Sequence, residues 1–236
     1  MKKILLALMI FTSLTQAQEI YATFNVEAAK SANLAFTASG IVKSVNVDIG
    51  SVVKKNQTLA TLGSDDIRAM LESAKTTYKY AKRDLDRQEK IKKLIDAGKF
   101  DAYASRYEKA KNAVAYQKAL YDKTFLKAPF DGIIYEKAIE VGDAVSGLML
   151  KTVFKIQSLR ERKLILEFDQ KYHNDVKVGD RFEYKVDGDT KTYSGRITKI
   201  YPYANANNRK IKAEVKAKDF TVGLFGDGYI LTNSGK

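Results

Sequence analysis

Two short segments of the sequence repeat each other 92 residues apart, and this repeat constrains the fold more than any other feature. Residues 39–53 align without gaps on residues 131–145. β-Branched residues dominate both copies, which suits pleated, half-buried strand positions. Each copy therefore predicts a strand, a turn and a second strand. Because neither copy can bury its apolar face alone, we expect the two to pack face to face as a small, flattened β-sandwich.

Four glycines stand at equivalent positions in the two copies. Gly40 falls on Gly132, and Gly50 falls on Gly142. The second pair closes an acidic–apolar–glycine triplet in each copy, where a tight turn can use positive φ at no steric cost. We predict that all four glycines are structural turn positions.

The segment between the two copies has the pattern of two helices. Residues 64–97 lack glycine and proline and are rich in Ala, Lys, Leu and Glu, and Gly98 then interrupts the run. Asp101 is a good N-cap for a second helix. Apolar or small residues recur in steps of three and four along both helices, which is the spacing of a coiled-coil seam. The seam positions are Ile67, Leu71, Ala74, Tyr78, Ala81 and Leu85 in the first helix and Tyr103, Tyr107, Ala110, Val114, Gln117 and Tyr121 in the second.

These two helices predict an antiparallel hairpin. Arms of about 30 residues, at 1.5 Å per residue, would extend roughly 45 Å. We interpret Tyr78, Tyr107 and Tyr121 as seam packing, and the exposed lysines and arginines as a solvated helix face. A long hairpin inserted between the halves of one sandwich buries little surface of its own, so we expect it to reach a partner.

After Lys151 the pattern changes to short alternating strands. Their turns carry glycine beside aspartate at residues 179–180, 187–189 and 226–228. Residues 170–177 are interpreted as a short helical crossover. Six short strands around one crossover predict a small closed β-barrel. The six candidate strands are 152–157, 163–168, 181–186, 191–200, 209–217 and 228–232.

The first 17 residues have the layout of a secretory signal peptide. Lys2 and Lys3 precede an apolar stretch, residues 4–14, and residues 15–17 offer a small-x-small cleavage site. The apolar stretch is too short for a membrane-spanning helix, which needs roughly 20 residues. We predict cleavage near Ala17 and a secreted mature protein.

The composition excludes several kinds of site. The chain has no cysteine, so it can form neither disulfides nor thiolate metal sites, and it has no catalytic thiol. Its net charge is +13, or +11 without Lys2 and Lys3. Secretion and the spread of basic residues along the chain argue against a nucleic-acid partner. The basic surface suits solvation, or attraction to acidic proteins or anionic lipid head groups.

No group of residues has the pattern of a catalytic or metal site. His173 is the only histidine, and no nucleophile elbow, phosphate loop or cluster of metal ligands accompanies it. Asp65 and Asp66 suit the first turn of a helix, whose dipole they complement. Met70 and Met149 are the only methionines after residue 17, too few for a soft-metal site. We therefore predict a protein that is not an enzyme and has no catalytic, cofactor-binding or metal-binding residues.

Nearly the whole chain after residue 17 resembles the membrane fusion proteins, the periplasmic adaptors of bacterial tripartite efflux pumps. The segments that carry the resemblance are 37–42, 47–50 and 59–62 for the first lipoyl half-motif, 126–134 and 141–143 for the second, and 178–180, 193–197 and 200–202 for the barrel. The resemblance implies an α+β, multi-domain fold. In it, a lipoyl-like β-sandwich is split by an antiparallel α-helical coiled-coil hairpin and is followed by a small β-barrel.

The expected domain boundaries follow from this arrangement. An N-terminal strand and the first lipoyl-like half occupy residues 18–63, and the helical hairpin occupies 64–125. The second lipoyl-like half occupies 126–156, and the barrel 157–236. True lipoyl domains carry a modified lysine at a hairpin between their two half-motifs. The helical insertion takes that place here, so no lipoyl cofactor is predicted.

The resemblance also implies a function. Adaptors of this family bridge an inner-membrane transporter to an outer-membrane channel and assemble as rings, so we expect a periplasmic protein, peripheral to the inner membrane, in a homo-oligomeric ring of three or six copies. The expected transporter is a proton-driven RND pump that exports drugs or other toxic compounds. An adaptor of an ATP-driven exporter or type I secretion system, and a coiled-coil structural protein of the cell envelope, are the alternatives.

Adaptors of this family often carry an Arg-xxx-Leu-xxxxxx-Ser pattern at the hairpin tip, which contacts the channel. The nearest match here is Lys90, Leu94 and Asp101. Leu94 matches outright, Lys90 keeps the charge, and Asp101 can cap a helix as serine would. Many members also fold a membrane-proximal domain from both chain ends. Residues 18–29 and the last few residues leave little for one, which predicts a reduced adaptor whose pump contact rests mainly on the barrel.

Overall fold

The computed structural model describes residues 18–232, which form two compact units. One unit comprises residues 30–159, and the other combines residues 18–29 with residues 160–232. Each unit has its own hydrophobic core. The predicted signal peptide, residues 1–17, lies outside the described residues.

Fourteen strands and two α-helices make up the described residues. The helices are α1 (Asp65–Glu89) and α2 (Ala97–Asp122), and a 3₁₀ turn spans Gln170–Tyr172. The strands are β1 (Gln18–Ala28), β2 (Ser31–Leu34), β3 (Gly40–Val45), β4 (Val52–Val53), β5 (Thr58–Leu62), β6 (Phe125–Lys127), β7 (Gly132–Lys137), β8 (Ala144–Val145), β9 (Phe154–Gln157), β10 (Glu161–Asp169), β11 (Arg181–Val186), β12 (Tyr193–Ala204), β13 (Lys210–Lys218) and β14 (Phe225–Thr232). Neither α-helix within residues 18–232 is both long and apolar enough to cross a bilayer.

The sandwich unit contains two four-stranded sheets with the strand orders β2-β9-β7-β4 and β6-β5-β3-β8. Their shared core includes the fully buried side chains of Leu59, Ile134, Phe154 and Ile156. Both helices lie between β5 and β6, which pair antiparallel. The hairpin of helices therefore leaves the sandwich from two neighbouring strands of one sheet.

The two sequence repeats pair with each other reciprocally. Gly40 at the start of the first copy is in register with Val145 at the end of the second. Gly132 at the start of the second copy is in register with Val53 at the end of the first. Equivalent positions thus exchange equivalent partners, which gives the sandwich an internal pseudo-two-fold symmetry.

The hydrogen bonds around the two turns repeat this symmetry. The Gly50 N–H donates to the Ile134 carbonyl oxygen at 2.8 Å, and the Gly142 N–H donates to that of Val42 at 3.0 Å. Both glycines have positive φ, +86° and +97°. This conformation disfavours any residue with a Cβ atom, as the sequence predicted for these two positions.

The prediction that Gly40 and Gly132 are also turn positions is wrong. These two glycines are the first residues of β3 and β7. A Cβ atom on Gly132 would lie 2.4 Å from the Gln157 carbonyl oxygen, so β9 leaves no room for a side chain there. A Cβ atom on Gly40 would lie 3.4 Å from the Leu62 Cβ, an ordinary contact. The symmetric pair therefore has different steric requirements.

The barrel unit is closed by six strands in the order β1-β10-β13-β12-β11-β14. The predicted number of strands is confirmed, but one member of the predicted set is wrong. Residues 152–157 contribute β9 to the sandwich, where it lies between β2 and β7. Its place in the barrel is taken by β1, which pairs with both β10 and β14.

The alternation of side chains explains why β1 can close the barrel. Its Ile20, Ala22, Phe24 and Val26 point inward and are at most 3% exposed. A strand whose apolar and polar side chains alternate can pair with two unpaired edge strands and bury its apolar side against the core between them. The N-terminal strand that we had grouped with the first sandwich half therefore belongs to the barrel.

The helices α1 and α2 contain 25 and 26 residues, about 38 Å at 1.5 Å per residue and shorter than the expected arms. All twelve predicted seam positions are buried or half-buried. Asp65 and Asp66 occupy the first turn of α1, as predicted. The apolar spacing thus identified the side of each helix that faces its neighbour.

Candidate partner-binding surfaces

The end of the helical hairpin is a short connection, residues 90–96. Lys90 follows the last residue of α1, and the Asp96 carboxylate accepts a hydrogen bond from the Lys99 N–H at 3.1 Å as the N-cap of α2. The break predicted at Gly98–Asp101 is therefore wrong. Gly98 lies in the first turn of α2, where its missing Cβ leaves space beside the Asp96 carboxylate, since a Cβ atom would lie 3.2 Å from Oδ1. Asp101 lies further along α2 and caps nothing.

The connection exposes apolar side chains among lysines. Leu94 is 88% exposed and Ile91 is 46% exposed. Lys90, Lys92 and Lys93 are also exposed, and the Lys92 ammonium lies 4.6 Å from the Phe100 ring centroid. An apolar side chain so exposed at the end of a projecting element is available to a partner.

The structure brings the three predicted contact residues to the same end of the hairpin, but in different settings. Lys90 and Leu94 lie in the connection, and Asp101 lies on α2. Sequence reasoning missed Ile91 and the capping role of Asp96. Aspartate is among the preferred N-cap residues, so the signal for Asp96 was present.

The seam between the helices contains two polar features. The Tyr78 and Tyr107 rings lie 5.5 Å apart, and their hydroxyl oxygens lie 3.5 Å apart. This hydrogen bond raises the pKa of Tyr107. The Gln117 Oε1 atom is buried and has no hydrogen-bond partner within residues 18–232. These contacts make the tyrosines part of the seam, as predicted.

A lysine joins the two repeat turns of the sandwich. The Lys137 ammonium lies 2.7 Å from the Glu140 Oε1 and 3.5 Å from the Asp48 Oδ1. Asp48 and Glu140 are equivalent residues of the two repeats. The hydrogen bond to Glu140 raises the pKa of Lys137. The pKa of Asp48 is lowered, mainly because its carboxylate accepts a hydrogen bond from the Ile49 N–H and also because the positive charge of Lys137 lies nearby. This arrangement links the two turns at the surface, where both carboxylates are exposed and such ion pairs contribute little to stability.

The loop between β8 and β9 exposes three consecutive apolar residues. Leu148, Met149 and Leu150 are 95%, 80% and 67% exposed. Met149 therefore faces solvent.

Within residues 18–232 no group of three or more His, Cys, Asp or Glu side chains is arranged to hold a metal ion.

Comparison with known proteins identifies the sandwich unit with its helical insertion. Residues 30–157 match the model of the CzcB-like barrel-sandwich hybrid domain family. The chain belongs to this family. The membrane fusion proteins that the sequence resembled are thereby confirmed as its relatives. The match spans both repeat copies and both helices.

Curated relatives extend the similarity beyond that domain. The chain is 26% identical over 203 residues to the cobalt-zinc-cadmium resistance protein CzcB of Cupriavidus metallidurans. It is 25% identical over 203 residues to the cation efflux system protein CzcB of Alcaligenes sp.. Each alignment covers 79% of this chain and 39% of the relative. The chain thus spans about two fifths of the length of these relatives.

Solved structures share the fold. A MacA–MexA chimera that contains the Pseudomonas aeruginosa MexA α-hairpin domain superposes with a TM-score of 0.83 at 18% identity, covering 92% of this chain and 81% of the chimera. MacA from Actinobacillus actinomycetemcomitans gives a TM-score of 0.71 at 18% identity, covering 92% and 79%. At this level of identity the comparison concerns the fold alone.

Proposed function

We propose that this chain is a periplasmic adaptor that bridges an inner-membrane transporter to an outer-membrane channel in an efflux system. The observation that carries the proposal is the membership of residues 30–157 in the CzcB-like family. Its curated relatives are named for metal resistance and cation efflux. A scaffold rather than a catalyst fits a molecule that projects a helical hairpin with an exposed apolar end.

The two helices are proposed to act as a coiled-coil arm directed at the channel. The heptad-like spacing of the buried and half-buried seam positions supports this role. Leu94 would enter an apolar depression on the channel, and the surrounding lysines would face acidic or carbonyl groups there. The barrel is proposed to face the transporter, in a ring of three or six copies.

Cysteine cross-linking tests this orientation. Single cysteines at Lys90, Leu94 and Asp101 should cross-link to an outer-membrane channel protein in intact cells. A cysteine at Thr190, on an exposed turn of the barrel, should not. Cross-linking from the barrel position alone would show that the proposed orientation is wrong.

The transporter is proposed to be a proton-driven pump of the RND type. Deletion of the gene should then raise the accumulation of exported dyes, and a protonophore should raise it to the same level in cells that carry the gene. If efflux persisted in the protonophore as long as ATP was present, an ATP-driven exporter would replace the proton-driven pump as the partner.

A second candidate concerns the cargo. The curated relatives are named for resistance to cobalt, zinc and cadmium and for cation efflux, which favours divalent metal ions over drugs as the exported species. A deletion strain should then become sensitive to Co²⁺, Zn²⁺ or Cd²⁺ and keep its tolerance of dyes and detergents. The reverse pattern would favour organic compounds.

A further inference from the structure

A bulge in β12 opens a groove in the wall of the barrel. Ile200 is in register with Ala213, and Ala204 is in register with Ile211. Three residues of β12, 201–203, therefore lie opposite the single residue Lys212 of β13. Pro202 stands at the centre of the bulge and has no N–H group for a ladder hydrogen bond. The bulge separates the two strands at this point.

Apolar and aromatic side chains line the groove. Phe168, Ile200 and Ile211 belong to the barrel core or pack against it and line the groove. Tyr201 and Tyr203 also line the groove, with their ring centroids 6.2 Å apart. The groove has a volume of about 840 Å³. That is within the range of about 300–1,000 Å³ that is typical of small-ligand sites.

The hydroxyl group of Tyr201 is hydrogen-bonded to Glu214 and is not available to a ligand. The Tyr201 hydroxyl donates to the Glu214 Oε1 at 2.7 Å, and the Lys199 ammonium lies 5.0 Å from the Tyr201 ring centroid. The ring of Tyr201 is therefore what this residue offers to the groove. Tyr203 is 57% exposed, so its ring is already accessible to a ligand.

The groove lining also carries positive charge. Lys171 and Arg209 are part of it, and neither forms an ion pair within residues 18–232; the Lys171 ammonium lies 4.8 Å from the Tyr172 ring centroid. The one carboxylate there, Asp169, accepts a hydrogen bond from the Lys171 N–H at 2.9 Å. The expected helical crossover at residues 170–177 is reduced to the 3₁₀ turn Gln170–Tyr172. Lys171, within this turn, and His173, which follows it and is the only histidine, line the groove.

The backbone holds Arg209 at the groove in an unusual conformation. Its φ is +54°, in the left-handed region where glycine and asparagine are the usual residues. The Arg209 N–H donates to the Asn205 carbonyl oxygen at 2.8 Å, and the Arg209 carbonyl oxygen accepts from the Gln170 N–H at 3.0 Å. This conformation belongs to the turn between β12 and β13, and these two hydrogen bonds fix the backbone from which the Arg209 side chain extends.

We propose that this groove binds a single-chain anionic amphiphile, with its apolar chain against Ile200 and the rings of Tyr201 and Tyr203 and its acidic head group against Lys171 and Arg209. A neutral apolar ligand would leave Lys171 and Arg209 without an anionic partner, and a small inorganic anion would leave the exposed Tyr203 ring uncovered. The groove is of small-ligand size, so a free amphiphile suits it better than a flat membrane surface.

Calorimetric titration of the mature chain with laurate, below its micelle concentration, tests this proposal. We expect one binding site per chain. Dodecanol, which has the same chain without the charge, and inorganic phosphate, which has charge without the chain, should each bind about 10-fold more weakly or worse. Equal binding of dodecanol or of phosphate would overturn the proposal, as would binding to phosphatidylglycerol vesicles without binding to free laurate.

A double variant, Lys171→Gln with Arg209→Asn, separates the groove from the general basic surface. Asparagine accepts the left-handed conformation, so the barrel should keep its thermal unfolding midpoint while the affinity for laurate falls at least 10-fold. The matched control is Lys177→Gln with Lys191→Gln, two exposed lysines of the same unit that do not line the groove. It should bind laurate as the unmodified chain does.

The aromatic wall gives an independent measurement. Tyr203→Ala should weaken laurate binding several-fold and leave the phosphate titration unchanged. If the lysine control lost as much laurate affinity as the groove variant, the binding would be non-specific attraction to a basic protein, and the groove would not be the site. Unchanged laurate affinity in both the double variant and Tyr203→Ala would exclude the groove equally.

Discussion

The helical hairpin and the barrel bury their side chains to very different extents. Within α1 and α2 only Leu71, Ala81 and Ala110 are fully buried, whereas the barrel core contains 16 buried side chains. The hairpin therefore gains little from packing and presents most of its surface to solvent. The difference teaches that stability is concentrated in the β cores, while the hairpin is free to carry recognition.

The largest effect on stability is expected in the barrel core. Phe182 is fully buried against Phe24 and Tyr184, with ring centroids 5.9 and 5.3 Å away. Phe182→Ala should lower the free energy of unfolding by about 3–5 kcal/mol, because it removes a buried ring and leaves a cavity. Urea unfolding followed by circular dichroism measures this loss.

A matched control is available on the outer face of the same barrel. Phe225 is 64% exposed on β14, so Phe225→Ala should cost less than about 1 kcal/mol. An equal loss of unfolding free energy in Phe182→Ala and Phe225→Ala would mean that the inner side of the barrel wall contributes no more to stability than the outer side.

The next effect is expected in the sandwich and compares the two repeats. Gly132→Ala places a Cβ atom 2.4 Å from the Gln157 carbonyl oxygen and should cost about 1–3 kcal/mol through overpacking. Gly40→Ala, the equivalent change in the first repeat, meets Leu62 at an ordinary 3.4 Å and should cost less. The same unfolding measurement on both variants decides the point. If Gly40→Ala were the more damaging, the asymmetry between the repeats would be the reverse of that described above.

A smaller effect of opposite sign is expected in the hairpin. The Gln117 Oε1 atom is buried in the seam without a partner among the described residues. Glutamine and leucine have similar helix propensities, so Gln117→Leu isolates the cost of that oxygen and should stabilise the hairpin by about 1 kcal/mol. Hydrogen exchange of the α1 and α2 amides reports the change. Faster exchange in the variant would mean that the amide makes a favourable contact that leucine cannot replace.

The smallest effect on stability is expected at the hairpin end. Leu94→Ser should change the free energy of unfolding by no more than about 0.5 kcal/mol, because the side chain is 88% exposed. Its expected effect is on binding: capture of the outer-membrane channel should fall about 10-fold or more. Lys82→Ser, an exposed position within α1, should alter neither measurement. Loss of stability in Leu94→Ser would show that the connection packs against the rest of the hairpin.

Several features of the fold were predictable because they depend on residues close together in the chain. The heptad spacing identified the inward side of both helices. The acidic–apolar–glycine triplets identified Gly50 and Gly142 as positions with positive φ. The repeat itself indicated that the two copies would pair, and they do so in reciprocal register.

The predictions failed where two local patterns compete. Gly98 is a typical helix breaker, and Asp101 after it is a typical cap. Asp96 forms the cap instead, because its carboxylate reaches the Lys99 N–H and the glycine leaves room for it. Gly98 lies in the first turn rather than the helix interior, and a capping hydrogen bond contributes about 1 kcal/mol, so the glycine does not prevent the helix from beginning before it.

The barrel groove could not be predicted at all from local patterns. It depends on the register between β12 and β13, which places Arg209, Lys171 and Tyr203 around one space. These residues come from two separate parts of the sequence: Lys171 from the 3₁₀ turn and Tyr203 and Arg209 from the hairpin of β12 and β13. Nothing in the sequence marks Lys171 as a neighbour of that hairpin before the sheet closes.

By itself, the sequence determined the local structure of this protein: which side chains face inward, where the two turns lie, and that helices separate the two repeats. Only the tertiary structure decided which strands share a core. The alternation in β1 and in β9 is equally compatible with either core, and local spacing carries no information on the partner. The choice was made by contacts between distant parts of the chain, such as the fully buried Ile20 and Ile230, which are in register across β1 and β14.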